Sequence, residues 1–178
     1  MSLFVDRMIR AAKLDVQLYE EVEADPSAMT QAMNVVVLAG VAAGIGSSKI
    51  MGVSGIIWGS VSALAGWFIW SYITYIVGTK LLPEPQTKAN YGELLRTIGF
   101  SSSPGLIRVL GILPGLGGIV VVGSSIWMLA AMVIAVRQAL DFRSTGRAIG
   151  VCLVGWIIQG LAVFLFFSIF GGLLKAPR

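Results

Sequence analysis

Residues 51–77 read MGVSGIIWGSVSALAGWFIWSYITYIV, twenty-seven consecutive positions without a charged side chain. As a helix this run is about 40 Å long, enough to cross the roughly 30 Å hydrocarbon layer of a bilayer. Its apolar residues encircle the helix instead of marking one face, so a soluble core would leave many of them in water. The whole chain shares the bias: of 178 residues 56% are hydrophobic and 12% charged, where soluble domains carry about 25% charged residues. The twenty-two glycines fit lipid better than water, because a small residue lets two helices approach closely in a bilayer.

Working outward, a second span is expected over 27–47, apolar from Met33 to Ile45, with Asp25 and Pro26 as a helix start. Ser47, Ser48 and Lys49 separate it from the long run, which Lys80 ends. Trp67, Trp70, Tyr72 and Tyr75 in the later half of that run suit a headgroup boundary. Pro83 and Pro85 forbid a continuing helix, and Tyr91 to Ile98 reads as a short amphipathic helix with Glu93 and Arg96. After Gly99, Phe100 and three serines, Pro104 opens a short helix over 103–113 that Pro114 and Gly115 stop. Such a piece is too short to cross alone, so it is a broken span or a re-entrant segment. Two further spans are expected over 116–139 and 148–174.

Residues 1–25 differ. Phe4, Val5, Met8, Ile9, Ala12, Val16 and Tyr19 recur with helical period from Leu3 to Val22, opposite Arg7, Arg10, Lys13, Gln17 and Glu20. This amphipathic helix either lies on the membrane surface or packs on the protein's own cytoplasmic loops. Glu20, Glu21, Glu23 and Asp25 read as a solvated hinge in preference to a cation site. Early charges such as Asp6 and Arg7 argue against a cleaved signal peptide, so the N-terminus is expected to stay on the protein. The predicted fold is therefore an all-α polytopic transmembrane bundle of about five spans over 26–178, preceded by an N-terminal amphipathic helix over 1–25.

The thirteen basic residues are scattered between the apolar runs, which argues against nucleic acid and makes them topology signals. With the N-terminus inside a cytoplasmic membrane and five spans, Arg7, Arg10, Lys13, Lys80, Lys88, Arg96, Arg137, Arg143 and Arg147 fall inside. Only Lys49, Lys175 and Arg178 fall outside. A re-entrant 104–113 weakens that asymmetry, so five spans is the preferred reading.

With no histidine and one cysteine, imidazole and thiolate chemistry are missing. No enzyme activity, metal or cofactor is expected; the surviving pair, Ser47 or Ser48 with Lys49, lacks an evident means of desolvating the lysine. The spans hold no carboxylate, and Asn34, Arg108 and Gln159 are their polar candidates for a transport pathway. Arg108, one turn past Pro104, is either a substrate contact or an arginine snorkelling to the interface. Small residues four apart, Gly40 with Gly44, Gly55 with Gly59, Gly111 with Gly115 and Gly146 with Gly150, are candidate helix-packing positions, within one chain or between two.

Gly99, Phe100 and Pro104 bring a family into view. The sequence resembles the Yip domain family of Ypt/Rab-interacting membrane proteins, whose third span opens on glycine and tyrosine with proline four residues after the tyrosine; Phe100 stands for the tyrosine. A third helix ending at Leu113 and Pro114, then a span with Trp127 and a basic exit at Arg137, also looks similar. The resemblance implies a cytoplasmic N-terminal segment, five clustered spans and a role in membrane traffic through small GTPases or family partners. The family's aspartate-leucine-tyrosine-glycine-proline motif is missing, since Leu18 and Tyr19 precede Glu20 and Glu21, which puts GTPase binding in doubt. The short N-terminus and compact loops look more like the prokaryotic branch. The expected function is thus a membrane scaffold or interaction protein, associating through glycine-lined helices with a second copy or another membrane protein. The alternative is a small permease or channel subunit using the broken third helix, which a cavity reaching Arg108 would favour.

Overall fold

The computed structural model describes residues 2–48, 52 and 54–174, apart from the side chains of 166, 167 and 169–174. Lys49, Met51, Lys175 and Arg178, used above in the span limits and the charge count, lie outside the described residues. The helices are α1 (Leu3–Ala12), α2 (Val16–Ala24), α3 (Ala28–Gly46), α4 (Ser54–Ile76) continued by a π-helical turn (Val77–Leu81), α5 (Tyr91–Phe100), a 3-10 helix (Ser103–Ile112), α6 (Gly117–Ala139) and α7 (Thr145–Leu174). Among the described residues there is no strand. Four helices, α3, α4, α6 and α7, are long and apolar enough to cross a membrane.

α3 is the hub. In its most apolar stretch 44% of residues are buried, against 22% or less in the other three long helices. It achieves this by presenting small residues on two sides. Toward α4, a Cβ added at Gly40 would sit 2.9 Å from the Ser60 Cα, and one at Gly44 only 2.5 Å from the Ile56 Cα. Higher numbers on α3 meet lower numbers on α4, so the two helices are antiparallel.

On its other side α3 carries Ala32, Ala39 and Gly46, spaced seven apart. These meet, in ascending order, Gly99 of α5 and Gly105 and Gly111 of the 3-10 helix. A Cβ at Gly99 would lie 2.7 Å from the Ala32 Cβ, and one at Gly46 would lie 2.1 Å from the Arg108 carbonyl oxygen. The segment 91–112 therefore runs parallel to α3 and ends at its far end. α5 contributes about 15 Å at 1.5 Å per residue and the more extended 3-10 helix about 20 Å at 2.0 Å per residue. Together they run alongside α3 from one end to the other, the course a broken third span would take. α6 starts beside Gly111 and returns to the near end, where the Leu140 side chain packs on Gly78.

The near-end loops are latched together. Thr87 donates to the Leu140 carbonyl at 3.0 Å and Gln86 to that of Asp141 at 2.9 Å. Arg147 pairs with Glu84 at 3.1 Å and donates to the Pro83 carbonyl.

Several local expectations change. The single N-terminal helix is two, because Asp15 caps a new helix by accepting the Gln17 amide at 3.0 Å while Leu14 turns the chain at a φ of 62°, a left-handed conformation costly for a branched residue. Arg7, placed on the polar face by period, is only 4% exposed. Trp67 and Trp70 are buried within the bundle, whereas Tyr72 is exposed. α5 is amphipathic as expected, but the bundle encloses it on all sides from Leu94 to Phe100. The expected start of α3 holds, in contrast: the Asp25 carboxylate accepts both the amide and the hydroxyl of Ser27 just before the helix.

Gly44→Leu should cost more than the roughly 1–3 kcal/mol of an overpacked core, because the obstacle is backbone; Gly118→Leu, with nothing within 4 Å, should leave the melting midpoint in detergent unchanged. For topology, single cysteines at Ser2, Gln86 and Arg143 in a Cys152→Ser background should be labelled by an impermeant maleimide from one membrane side and Ser48 from the other. Labelling of Arg143 together with Ser48 would refute the broken third span.

Candidate functional site

The break in the third span is built from local hydrogen bonds. α5 opens with a capping box in which the Asn90 side chain accepts the Glu93 amide and the Glu93 carboxylate accepts the Asn90 amide. Trp67 of α4 donates its indole N–H to the Leu95 carbonyl at 2.9 Å, which holds α5 against α4. At the other end of α5 the Thr97 and Gly99 carbonyls accept the Ser101 and Ser102 amides, and hydroxyls serve the other two. Ser101 donates to the Ile98 carbonyl at 2.7 Å and Ser103 to that of Phe100 at 2.8 Å. Pro104, which has no amide hydrogen, then occupies the first turn of the 3-10 helix. Phe100 is wholly buried. Gly99 serves close approach to Ala32, so at this motif position the geometry demands absence of a side chain more than flexibility.

One turn on, Arg108 reaches across to α6. Its Nε donates to Ser124 Oγ and its Nη2 to Ser125 Oγ, both at 2.9 Å. Each serine in turn donates to the Val121 carbonyl, at 3.1 and 2.7 Å. The guanidinium is half-buried and forms no ion pair with a carboxylate among the described residues. It borders two cavities. One, the inner cavity, is an open groove of about 510 Å³ between α3, α4, α6 and α7, against Ser62, Gly66, Ser102, Met128, Met132 and Trp156, of which Ser62 and Trp156 are exposed. The other, of about 750 Å³, lies toward the far end between Ser47, Pro114, Gly115, Gly117 and Val122. Asn34 is exposed and Gln159 half-exposed; neither joins this cluster.

The candidate packing glycines separate into two groups. Gly40 and Gly44 meet the α4 stretch that carries Gly55 and Gly59. Gly111 packs on Gly46, whereas its sequence partner Gly115 turns the chain at a φ of 79° and touches nothing. Gly150 likewise meets nothing within 4 Å and Gly146 only the Ser144 hydroxyl. The seven-residue row Ala32, Ala39, Gly46 carries no pair of glycines four apart, although its spacing is visible in the sequence.

A second polar assembly holds α1 and α2 against the bundle. Arg7 donates to Glu21 at 2.8 Å, Asp25 at 2.9 Å and Gln31 of α3 at 3.1 Å. Arg10 pairs with Asp15 at 2.8 Å and Glu21 at 2.6 Å. Arg96, buried on α5, donates to the Val22 carbonyl at 2.8 Å and to that of Glu23. Trp127 donates to the Ala12 carbonyl at 2.8 Å, and Gln138 to Glu20. The helix pair thus packs on α5 and α6, with Leu18, Tyr19 and Val22 wholly buried, and the acidic run is its clasp instead of a solvated hinge. Val5, Ile9 and Val16 remain exposed.

Arg10 holds the Glu21 and Asp15 carboxyls below their usual range by hydrogen bonding. Glu23 behaves oppositely. Burial, then the negative neighbours Glu20, Asp141 and Glu93, push its carboxyl up to about 8 despite Arg96, and its Oε2 is buried without a partner. The folded chain holds a proton there that the unfolded chain releases near pH 4.3, a typical glutamate value of about that size. The stability that Glu23 contributes is therefore fully present at low pH and falls as pH rises toward about 8. Glu23→Gln should flatten the decline in melting midpoint between about pH 5 and pH 9; an equal decline in both proteins would place the sensitivity elsewhere.

Among known families, the model of the Yip1 domain matches residues 19–167. No curated protein and no solved structure matches the chain. The matched region takes in α3 to α6, the break at Gly99, Phe100 and Pro104, and most of α7, so the chain belongs to the Yip1 domain family.

Proposed function

We propose that this membrane protein catalyses no reaction and works as an interaction scaffold of the cytoplasmic membrane, with its N-terminal helices and basic near-end loops in the cytoplasm. The observation that carries this reading is the course of α7. As far as Trp156 the helix packs on the bundle: Gly155 lies against the Trp70 ring, and the Trp70 and Trp156 rings are 6.3 Å apart. Beyond it Ile157, Leu161, Val163, Phe164 and Leu165 are all exposed, and Gly160 meets nothing within 4 Å. The glycines of α3 are consumed inside the chain, whereas Gly150 and Gly160 leave room for a helix from outside. A second copy or another membrane protein fits that position. The absence of the family's N-terminal motif keeps a small GTPase out of this proposal.

The cavities beside Arg108 favour a second reading, a small permease subunit. Against it, the polar lining of the inner groove is serine and one arginine, with no carboxylate, among mainly apolar residues, a poor path for a cation.

In a Cys152→Ser background, cysteine at Gly160 should give oxidative cross-links in native membranes, to itself or to a partner, and cysteine at the lipid-facing Ile119 of α6 should not. Monomer alone at both positions, with small-anion uptake by reconstituted vesicles, would replace the scaffold by the permease.

A further inference from the structure

We propose that Arg108, Ser124 and Ser125 form a site for the phosphate of a net-anionic glycerophospholipid, with one acyl chain lodged in the inner cavity. The argument begins with unspent donors. A guanidinium group presents a planar fork of N–H groups suited to two oxygens of a phosphate. Nε and one Nη2 hydrogen reach the serines, and Nη1 has no acceptor among the described residues. The serines are neutral and already donate to Val121, so they orient the arginine without compensating its charge. A positive charge at bilayer depth without a counter-ion marks a functional position.

Position selects the ligand. Ser124 lies seven residues from the start of α6, about 10 Å along the helix axis, which is shallow enough for an arginine to meet a headgroup phosphate drawn slightly inward. The 750 Å³ vestibule leads there from the far end, past the glycines at the start of α6. That helix has no side-chain cap at Leu116, which favours negative charge in the same vestibule. On the other side of Arg108 the 510 Å³ cavity continues among Met128, Leu129, Met132, Trp70 and Trp156, a size within the roughly 300–1,000 Å³ of small-molecule sites. A cation beside a mainly apolar groove that opens to the lipid-facing surface matches an anionic head on an acyl tail, whereas a free inorganic anion would use only the first. A zwitterionic head would bring its own cation toward Arg108 and gain less.

The full chain, delipidated in neutral detergent, provides the test, with retained lipid read by native mass spectrometry and the melting midpoint as a second readout. Phosphatidylglycerol should be retained and should raise the midpoint, with phosphatidylcholine retained about tenfold less. Arg108→Gln should lose that preference and Arg108→Lys should keep part of it. Gly66→Phe guards against a folding failure in the arginine variants: Gly66 lines the inner cavity and has nothing within 4 Å. It should expel the lipid while leaving Arg108 and the fold intact. Equal retention of the two lipids, or no change in Arg108→Gln, would overturn the site. Stabilisation by inorganic phosphate as large as that by phosphatidylglycerol, undiminished in Gly66→Phe, would overturn the lipid and leave a free-anion site.

Discussion

Two neighbours touch the backbone of α3 at once, and the rest of the bundle is arranged around that fact. On one side Gly40 and Gly44 admit α4 until its Cα atoms stand where side chains would otherwise be; on the other Ala32, Ala39 and Gly46 admit the third span just as closely. Lipid tails are as apolar as leucine, so burying apolar surface between helices gains little in a membrane, and close van der Waals packing has to supply the cohesion. A helix with small residues on two faces can supply it twice. α4, α6 and α7 keep large side chains toward lipid, which is why α3 alone is deeply buried.

The break in the third span has a local cause: Pro104 has no amide hydrogen to continue the hydrogen bonding of α5, and it opens a new 3-10 helix. Changing to a 3-10 helix at Ser103 lengthens the passage, and Ser101 and Ser103 satisfy carbonyls that the change leaves open. The extended piece also turns Arg108 toward α6, where two adjacent serines receive it. Close packing and polarity that a ligand could use therefore coincide in one segment. The interaction proposal draws on α7 beyond Trp156 and the lipid proposal on Arg108 and the groove that Trp156 borders, so the two sites adjoin at Trp156.

At the near end, cohesion comes from charge. Arg7, Arg10 and Arg96 bind carboxylates and carbonyls of α2, and Glu23 is buried among negative neighbours as the cost of bringing that acidic run against the bundle. Charge-assisted hydrogen bonds of this kind are strong where water is sparse. The hairpin is thereby part of the folded unit, which agrees with a family match that begins inside α2.

Hydropathy along the chain determined that this protein is a helical membrane bundle, where its four long helices run, and that residues 103–113 form a separate short element, because span length and the exclusion of charge from lipid are properties of local sequence. Gly99, Phe100 and Pro104 likewise identified the family, since the motif is contiguous. Which glycines meet a neighbour is another matter. Gly44 and Gly150 look alike in the sequence, yet one is pressed on a backbone and the other faces open space. The burial of Arg7 is equally invisible to helical period, because its partners Glu21, Asp25 and Gln31 arrive from two other helices. The direction of the third span was decided by the order in which Gly99, Gly105 and Gly111 meet α3, a relation between segments that only the tertiary packing contains.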